Sequence, residues 1–440
     1  MSDSSCEIII PRPAKKKVNP SESENKDRFS NLSECVILHI MSFLNAKDAV
    51  RTCVLSTRWK DLWKHIPTLI LHSRDFRSVK IFTEFVSKIL SVRNSYIELQ
   101  SLDFKYDLCH LVWDFKDYPD YPHHLEPHVL EKIVNYAISH HVQRLGLSVT
   151  SGIAQILPSL YHTQTLTHLK LSIYNSGIDR EQISFDLTAL RCPENLFPKY
   201  FNLPSLTSLQ LGNFTFCVGD NDCAEPFSIF KRLNSLVISD CIVKGTETLC
   251  ISSATLVNLT VYNNLKQYYK IELCTPNICT FTFGGTPYQT ISGSDISSLK
   301  HVDLHAEVVP YSRAPPLLLF CWLLEFANIK SLTVTATTLQ VLSLIRGLLK
   351  FCIHSLGNLK LLRVEIDKIQ YGFRSTLCDV KLQNVQSKKE AARIQKAFEL
   401  ELEPSPPVPD GIVAFLLQNS PSAEVDFVDC TKKPLRPRQL

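Results

Sequence analysis

A short apolar pattern recurs along most of this 440-residue chain. The order apolar-x-x-apolar-x-apolar begins at ten positions, Leu99, Val142, Leu166, Leu206, Leu233, Leu256, Ile278, Leu299, Ile329 and Leu359. Between Leu206 and Leu299 successive segments begin 21 to 27 residues apart. The last residues of each segment alternate apolar with polar, which is the period of a strand with one buried face, and a single unit cannot bury that face alone. The pattern therefore predicts stacked units that form a curved parallel sheet, with the interleaved residues on its concave side.

A different pattern occupies residues 27–67, where three short amphipathic helices are predicted. Ser33, Asn45 and Ser56 are suitable N-caps, and Trp59 and Trp63 lie on one face of the third helix. A unit of about forty residues without disulfides or metal rarely has enough core to be stable by itself. The tryptophan pair therefore has two open interpretations: a docking surface or joint to the next domain, or the core of the three-helix unit.

The segment "DRFSNLSECVILHIMSFLNAKDAVRTCVLSTRWKDLWKHIPTLIL" resembles an F-box, in particular the plant type in which Ser-x-Arg-Trp precedes a further tryptophan. The resemblance implies binding of a Skp-type adaptor, which tethers the protein to a cullin-based ubiquitin ligase. Carried over position by position, it assigns ten residues to the adaptor-binding or core faces: Leu32, Ile37, Ile40, Phe43, Leu44, Val54, Leu55, Trp59, Leu62 and Trp63. The family usually has Leu-Pro before the first helix, whereas Ser33 follows Leu32 here, so we expect weaker rigidity rather than loss of binding.

The downstream pattern resembles the irregular leucine-rich repeats that follow plant F-boxes. The predicted fold class is thus an α/β solenoid: an N-terminal three-helix F-box, then an irregular leucine-rich-repeat horseshoe with a parallel sheet and a C-terminal cap. The expected segments are a disordered tail (1–26), the F-box (27–67), a helical linker (68–98), the repeats (99–370), a C-terminal cap region (371–430) and a basic tail (431–440). The general leucine-rich-repeat pattern also has a buried Asn or Cys position in each unit. In this chain only Cys241 and Asn264 fill that position as expected.

Composition narrows the class of partner. The formal charge is +4 and the basic residues are scattered, so no one-sided stripe for nucleic acid is predicted. The longest apolar run, Leu317 to Leu324, is much shorter than the ~20 residues that a membrane span requires. Fifteen cysteines without a Cys-x-x-Cys motif or a visible signal peptide favour reduced thiols in a cytoplasmic or nuclear protein. We therefore expect protein partners, and neither nucleic acid nor a membrane.

No catalytic motif is present, so a non-enzymatic chain without cofactor is predicted. The candidate metal cluster is His123, His124 and His128, but Pro122 and Pro127 interrupt the helix that would align it and favour a surface loop. Substrate contacts are expected at the interleaved strand positions. The chemically distinct candidates there are His168, Lys170, His301, Asp303 and Arg363.

The sequence thus favours a substrate-recognition adaptor of an SCF-type ubiquitin ligase, in which the F-box binds a Skp-type adaptor and the repeats bind an unknown protein substrate. Two alternatives stay open. One is a non-ligase scaffold whose F-box-like helices only cap the solenoid. The other is a repeat protein with a metal-dependent activity at the histidine cluster.

Overall fold

The computed structural model describes most of the chain. The described residues are 32–93, 98–107, 125–150, 152–161, 163–174, 195–219, 222–293, 296–307, 314–326, 328–366, 377–379, 381–383, 385, 387–399 and 408–430. The predicted N-terminal and C-terminal tails lie outside these residues, as do His123 and His124.

The N-terminal unit begins with two α-helices, α1 (Glu34–Met41) and α2 (Ala46–Arg51). The Asn45 side chain caps α2 by accepting a hydrogen bond from the Asp48 amide at 2.8 Å. The predicted third helix is wrong, because the chain instead forms three 3-10 turns, Thr52–Val54, Thr57–Trp59 and Leu62–His65. The extended backbone of Ser56 separates the first two turns, and short 3-10 turns are common connectors where a continuous helix is interrupted.

The N-terminal unit has a small core of its own. Its six buried apolar residues are Ile37, Met41, Ala49, Trp59, Leu62 and Ile66. Trp59 is therefore a core residue, whereas the half-buried Trp63 contacts both this core and the large core under the sheet. The two tryptophans thus have different roles: one holds the unit together and the other joins it to the sheet.

A buried arginine strengthens that joint. Arg93, 5% exposed, follows α3 (Val79–Val92) and donates hydrogen bonds to the Ile66 carbonyl at 2.6 Å and to the Tyr136 hydroxyl at 3.2 Å. Tyr136 lies on α4 (Pro127–Ser139). Hydrogen bonds from a charged donor are stronger than neutral ones, so Arg93 ties the end of the N-terminal unit to two helices of the repeat region.

The described residues contain seventeen strands. They are β1 Thr68–His72, β2 Ser101–Lys105, β3 Arg144–Val149, β4 His168–Ile173, β5 Ser208–Gly212, β6 Thr215–Cys217, β7 Ser235–Ser239, β8 Ile242–Lys244, β9 Thr248–Ser252, β10 Asn258–Asn263, β11 Lys270–Cys274, β12 Thr280–Gly285, β13 Thr290–Gly293, β14 His301–Ala306, β15 Ser331–Thr335, β16 Leu361–Ile366 and β17 Glu424–Asp429.

Twelve of these strands form one parallel sheet in the order β1-β2-β3-β4-β5-β7-β10-β12-β14-β15-β16-β17. The repeats pair in step, so that each apolar strand position stands beside its counterpart in the next unit. Leu259 of β10, for example, pairs with Leu236 of β7 on one side and with Phe281 of β12 on the other, and all three are buried. The predicted parallel sheet is confirmed, and the architecture is that of an α/β solenoid.

The sheet is longer than the predicted repeats at both ends. β1 lies in the predicted helical linker and β17 in the predicted cap region, yet both pair in parallel with the neighbouring repeat strand. Among its described residues, the linker is helical in α3 and in a 3-10 turn, Ser73–Asp75. The first strand belongs to the sheet because Ile66, Leu69 and Leu71 carry the same apolar pattern and are buried.

The other side of the sheet is covered by helices and short strands. Further helices in the described part of the chain include α5 (Ile153–Leu160), α6 (Ala314–Glu325), α7 (Ala336–Ser343), α8 (Lys388–Glu399) and α9 (Ile412–Leu416). Strands β6 and β8 form a parallel pair, and β13, β11 and β9 form a three-stranded sheet. Pro127 occupies the first turn of α4, where its missing amide proton costs nothing, so it starts this helix rather than interrupting one.

Buried polar side chains connect successive units on this covered side. Asn263 is buried and donates to the Thr286 carbonyl and to Gln289 Oε1, both at 3.2 Å. The prediction that Asn264 fills the buried position is wrong, since Asn264 is exposed and contacts Asp240. Asn263 is buried instead, because β10 extends through Asn263 and turns its side chain inward. The Cys241 position is confirmed as buried, with Sγ 3.8 Å from the Leu211 carbonyl oxygen.

The alternation of buried and exposed strand positions leads to a stability prediction. We expect Leu259→Ala to lower the free energy of unfolding by about 2–5 kcal/mol, because it removes a fully buried side chain from a close-packed column. Thr260→Ala, one residue away on the open face, should change it by about 0.5 kcal/mol or less. Urea unfolding of both variants measures the difference, and equal losses would contradict the assigned strand faces.

Cysteine reactivity tests the same arrangement. Burial raises the pKa of the Cys241 thiol to about 12, so near neutral pH it carries almost no thiolate. We expect native protein treated with iodoacetamide to be alkylated at the exposed Cys274 and Cys352 and not at Cys241. Peptide mass spectrometry reads the sites, and urea should make Cys241 reactive. Equally rapid labelling of Cys241 and Cys274 in native protein would refute its burial.

Candidate protein-binding surfaces

The N-terminal unit exposes apolar side chains that its own core does not use. Phe43 is 73% exposed, Val54 88% and Leu55 64%, and Ile40 is 37% exposed. Phe43 follows α1, and Val54 and Leu55 lie at the end of the first 3-10 turn. Large apolar groups left in water are unfavourable by themselves and are typical of a surface that another protein covers. We call Ile40, Phe43, Val54 and Leu55 the apolar set.

The structure divides the ten residues of the F-box resemblance into three groups. The apolar set is exposed, while Ile37, Trp59 and Leu62 are buried in the small core. Leu32, Leu44 and Trp63 are half-buried and pack against that core. Sequence reasoning could not separate these groups, because an amphipathic stripe has the same spacing whether it faces its own core or a partner.

Two charged side chains of the N-terminal unit, Arg58 and Lys64, make contacts within that unit. Arg58 donates to the Leu32 carbonyl and so fixes the segment that precedes α1. Lys64 Nζ lies 2.7 Å from Asp61 Oδ1, and this contact lowers the pKa of the Asp61 carboxyl. The Asp61 carboxylate is therefore ionised at neutral pH.

The open face of the large sheet is the second surface. The ten interleaved positions predicted from the repeats align in a single register row, and the structure adds Ile70 of β1 and Asp426 of β17 at its ends. From β1 to β17 the row is Ile70, Asp103, Gly146, Lys170, Gln210, Val237, Thr260, Thr282, Asp303, Thr333, Arg363 and Asp426. Most of these side chains are small or uncharged, so the few charged ones stand out.

Asp103 occupies a space that a neighbouring glycine leaves open. A Cβ at Gly146 would come within 2.7 Å of Asp103 Oδ1, so the missing side chain admits the carboxylate. The other oxygen, Oδ2, lies 3.0 Å from His72 Nε2. Sequence reasoning missed His72, because β1 was assigned to the predicted helical linker and not to the repeats.

The candidate substrate residues do not converge on one spot. Arg363 Nε lies 3.0 Å from Asp426 Oδ2, and Thr282 Oγ1 lies 3.5 Å from Asp303 Oδ2. His168 and His301 begin β4 and β14, which are five strand spacings apart, or about 24 Å. Lys170 and Asp303 lie two residues further along these same strands. The candidates therefore form separate contacts along an extended surface.

His168 sits in a basic setting. Partial burial and the nearby Arg144 guanidinium lower the pKa of its imidazole. Thr167 Oγ1 lies 2.9 Å from His168 Nδ1, which holds the ring orientation. At neutral pH the ring is mainly uncharged.

The described residues contain no group of three or more His, Cys, Asp or Glu side chains that could hold a metal ion. Within the predicted cluster, His128 is the described member, and its Nδ1 lies 3.1 Å from Glu126 Oε2 with both side chains exposed. No helix in this same part of the chain combines the length and the apolar character that a membrane span requires.

Comparisons with known proteins find similarity in the N-terminal unit and along most of the chain. A family model described as an F-box domain matches residues 29–71, which cover α1, α2, the 3-10 turns and most of β1. The apolar set and the small core both lie inside this match.

Curated relatives extend the similarity into the repeats. The chain is 33% identical over 248 residues to F-box/LRR-repeat protein 13 of Arabidopsis thaliana, a match that covers 56% of this chain and 48% of that protein. It is 25% identical to a putative F-box/FBD/LRR-repeat protein of the same plant, over 92% of this chain and 90% of the relative. A third relative, an F-box/LRR-repeat protein, is 29% identical over 54% of this chain and 68% of its own length. The chain thus spans about half the length of the first of these relatives and nearly all of the second.

Proposed function

We propose that this chain, a plant-type F-box/leucine-rich-repeat protein, is the substrate-recognition subunit of an SCF-type ubiquitin ligase. The observation that carries the proposal is the coincidence of the F-box match with an apolar set that the internal core leaves exposed. In this role the N-terminal unit binds a Skp-type adaptor and through it a cullin. The sheet holds a protein substrate.

Adaptor binding would cover the apolar set. Full burial of an exposed Val, Leu, Ile or Phe side chain contributes about 1.5–3 kcal/mol, and a few such residues usually dominate an interface. Phe43, Val54 and Leu55 are each more than 60% exposed, so most of this gain is available to a partner.

The contribution of the sheet is geometric. A substrate held on a stiff repeat array near an activated ubiquitin meets it at a raised effective concentration. We infer that the twelve-stranded sheet curves as a horseshoe and that its open face carries the contacts, with Lys170, Asp303 and Arg363 as polar candidates. Ubiquitin transfer belongs to other subunits, so the chain acts without catalysis or cofactor, in the cytoplasm, the nucleus or both.

One observation favours a second candidate function, a scaffold outside any ligase. Trp63 and Ala46 pack against the core under the sheet, as expected if the N-terminal helices serve to cap the solenoid. A scaffold of this kind would not bind the adaptor. It would also leave the exposed apolar set without a role.

Adaptor binding is tested with a variant that keeps the core. We expect the triple variant Phe43→Glu, Val54→Glu and Leu55→Glu to weaken binding of a purified Skp-type adaptor at least about 100-fold, because three desolvated contacts are lost. Ile81→Glu, on the exposed face of α3, is the matched control and should bind as wild type. Ile37 is unsuitable for this test, since it is fully buried and a polar residue there would unfold the unit.

Isothermal titration calorimetry gives the affinities, and circular dichroism checks that both variants retain the fold. Tight binding by wild type and control, with loss in the triple variant, supports the ligase role. Wild-type protein that binds no Skp-type adaptor would leave the scaffold function in its place.

Turnover distinguishes the two functions in cells. If the chain is a ligase subunit, proteins that copurify with it should accumulate when the triple variant replaces wild type, because they are no longer brought to the ligase. Pulse-chase of copurified proteins measures their half-lives. Half-lives that are the same with wild type and triple variant would favour the scaffold.

A further inference from the structure

One edge of the large sheet carries an excess of positive charge. The edge is formed by the two residues at or just before the start of nine consecutive strands, β3 to β16, and we call it the strand-start rim. Its members are 143–144, 167–168, 207–208, 234–235, 257–258, 279–280, 300–301, 330–331 and 360–361. Its cations are Arg144, Lys300, Lys330 and Lys360; it also contains His168 and His301, and it contains no Asp or Glu. Glu424 begins the next strand, β17, as the register partner of Leu361.

Three of these cations, Lys300, Lys330 and Lys360, lie side by side at the starts of neighbouring strands. The backbone amide of Lys330 donates to the Lys300 carbonyl at 2.8 Å, and that of Lys360 donates to the Lys330 carbonyl at 2.8 Å. The lysines therefore occupy one register position on three neighbouring strands, about 4.8 Å apart. All three side chains are exposed. Like charges on directly adjacent strands are destabilising, so this arrangement costs stability in the isolated protein.

A basic groove lies further along the same rim. It has a volume of about 650 Å³ and is lined by His168, Thr207, Ser208, Lys231, Arg232, Asn234, Ser235 and Thr255. Lys231 and Arg232 come from the turn before β7 and are exposed. Arg144 adjoins the groove, because it is the register partner of His168.

These charges are not neutralised within the described part of the chain. The ion pairs found there involve other residues, and no Asp or Glu oxygen lies within 4.0 Å of Arg144, Lys231, Arg232 or the three rim lysines. Lys231 Nζ donates a hydrogen bond to the Ser228 carbonyl at 2.9 Å, which leaves its charge without a carboxylate partner. Cations of this kind beside hydroxyl and amide side chains are complementary to a run of carboxylates.

We propose that the strand-start rim, together with the basic groove beside it, binds an Asp- and Glu-rich segment of the protein substrate. Lys231 and Arg232 form the contact in the groove, and Lys300, Lys330 and Lys360 form a second contact on the rim. This inference rests on the proposed function, and it names the chemistry of the substrate. From β3 to β16 the rim spans eight strand spacings, or about 38 Å, which an extended segment of roughly twelve residues covers.

The groove suits a peptide better than a nucleic acid. Its lining contains no Phe, Tyr or Trp, and His168 is its one aromatic ring, so it lacks the row of aromatic side chains on which successive bases stack. Thr207, Ser208, Asn234 and Ser235 instead supply groups that can pair with a peptide backbone. The chain as a whole carries only +4, which is far from the strongly basic balance of a nucleic-acid-binding domain.

The test measures binding of a fluorescein-labelled octaglutamate peptide by fluorescence anisotropy, beside an octaglutamine peptide and a single-stranded DNA octamer. Two rim variants are tested. One combines Lys231→Gln with Arg232→Gln, and the other combines Lys300→Gln, Lys330→Gln and Lys360→Gln. The matched control is Lys80→Gln with Lys88→Gln, which removes two exposed charges from α3. Adaptor binding is measured for every protein in parallel.

We expect wild type and control to bind octaglutamate and not octaglutamine, with affinity falling as salt is raised. Each rim variant should bind octaglutamate about tenfold more weakly, as the loss of two or three exposed ion pairs predicts, and should bind the adaptor normally. Equal binding of the two peptides, or unchanged octaglutamate binding in the rim variants, overturns the inference. Tighter binding of the DNA octamer than of octaglutamate also overturns it. Loss of adaptor binding in wild type with retained octaglutamate binding would instead refute the ligase role and leave the rim site intact.

Discussion

The structure depends on in-step parallel pairing of short strands that are each buried on one face. Two apolar residues per strand, such as Leu259 and Val261 of β10, enter columns that run under the whole sheet. A single strand cannot keep these side chains from water, so each unit is stabilised by its neighbours. The same pairing aligns the alternate residues on the open face and aligns the strand starts on one edge. Core, candidate substrate surface and basic rim are therefore consequences of one register.

The N-terminal unit follows the same logic on a smaller scale. Its core has six buried apolar residues, which is little for an independent domain. Trp63 and Arg93 extend it into the repeat region, the first by apolar contact and the second by hydrogen bonds to the Ile66 carbonyl and Tyr136. Because stability is obtained through this joint, the unit can leave Phe43, Val54 and Leu55 in water. A ligase adaptor would use such exposed groups without disturbing the core.

The electrostatic character of the repeat region also differs between its surfaces. On the open face, Asp103 contacts His72 and Arg363 contacts Asp426, so charges there are partly compensated. On the strand-start rim, cations stand beside cations and uncharged groups. An arrangement that costs stability in the free protein is understandable where a partner of opposite charge compensates for it.

The sequence by itself determined the buried columns, the parallel sheet and the F-box segment, because the period of two along a strand and the order of an N-terminal motif are local properties. It also identified the interleaved row at ten strands, and it could have included β1, since Ile66, Leu69 and Leu71 carry the repeat pattern. Only the tertiary structure decided that Trp59 is core while Trp63 is a joint, that Asn263 rather than Asn264 is buried, and that Arg93 bonds to the Ile66 carbonyl and to Tyr136. These contacts depend on where a strand ends and on how the N-terminal unit packs against the repeats. The sequence pattern specifies neither, because both are set by contacts between residues that lie far apart along the chain.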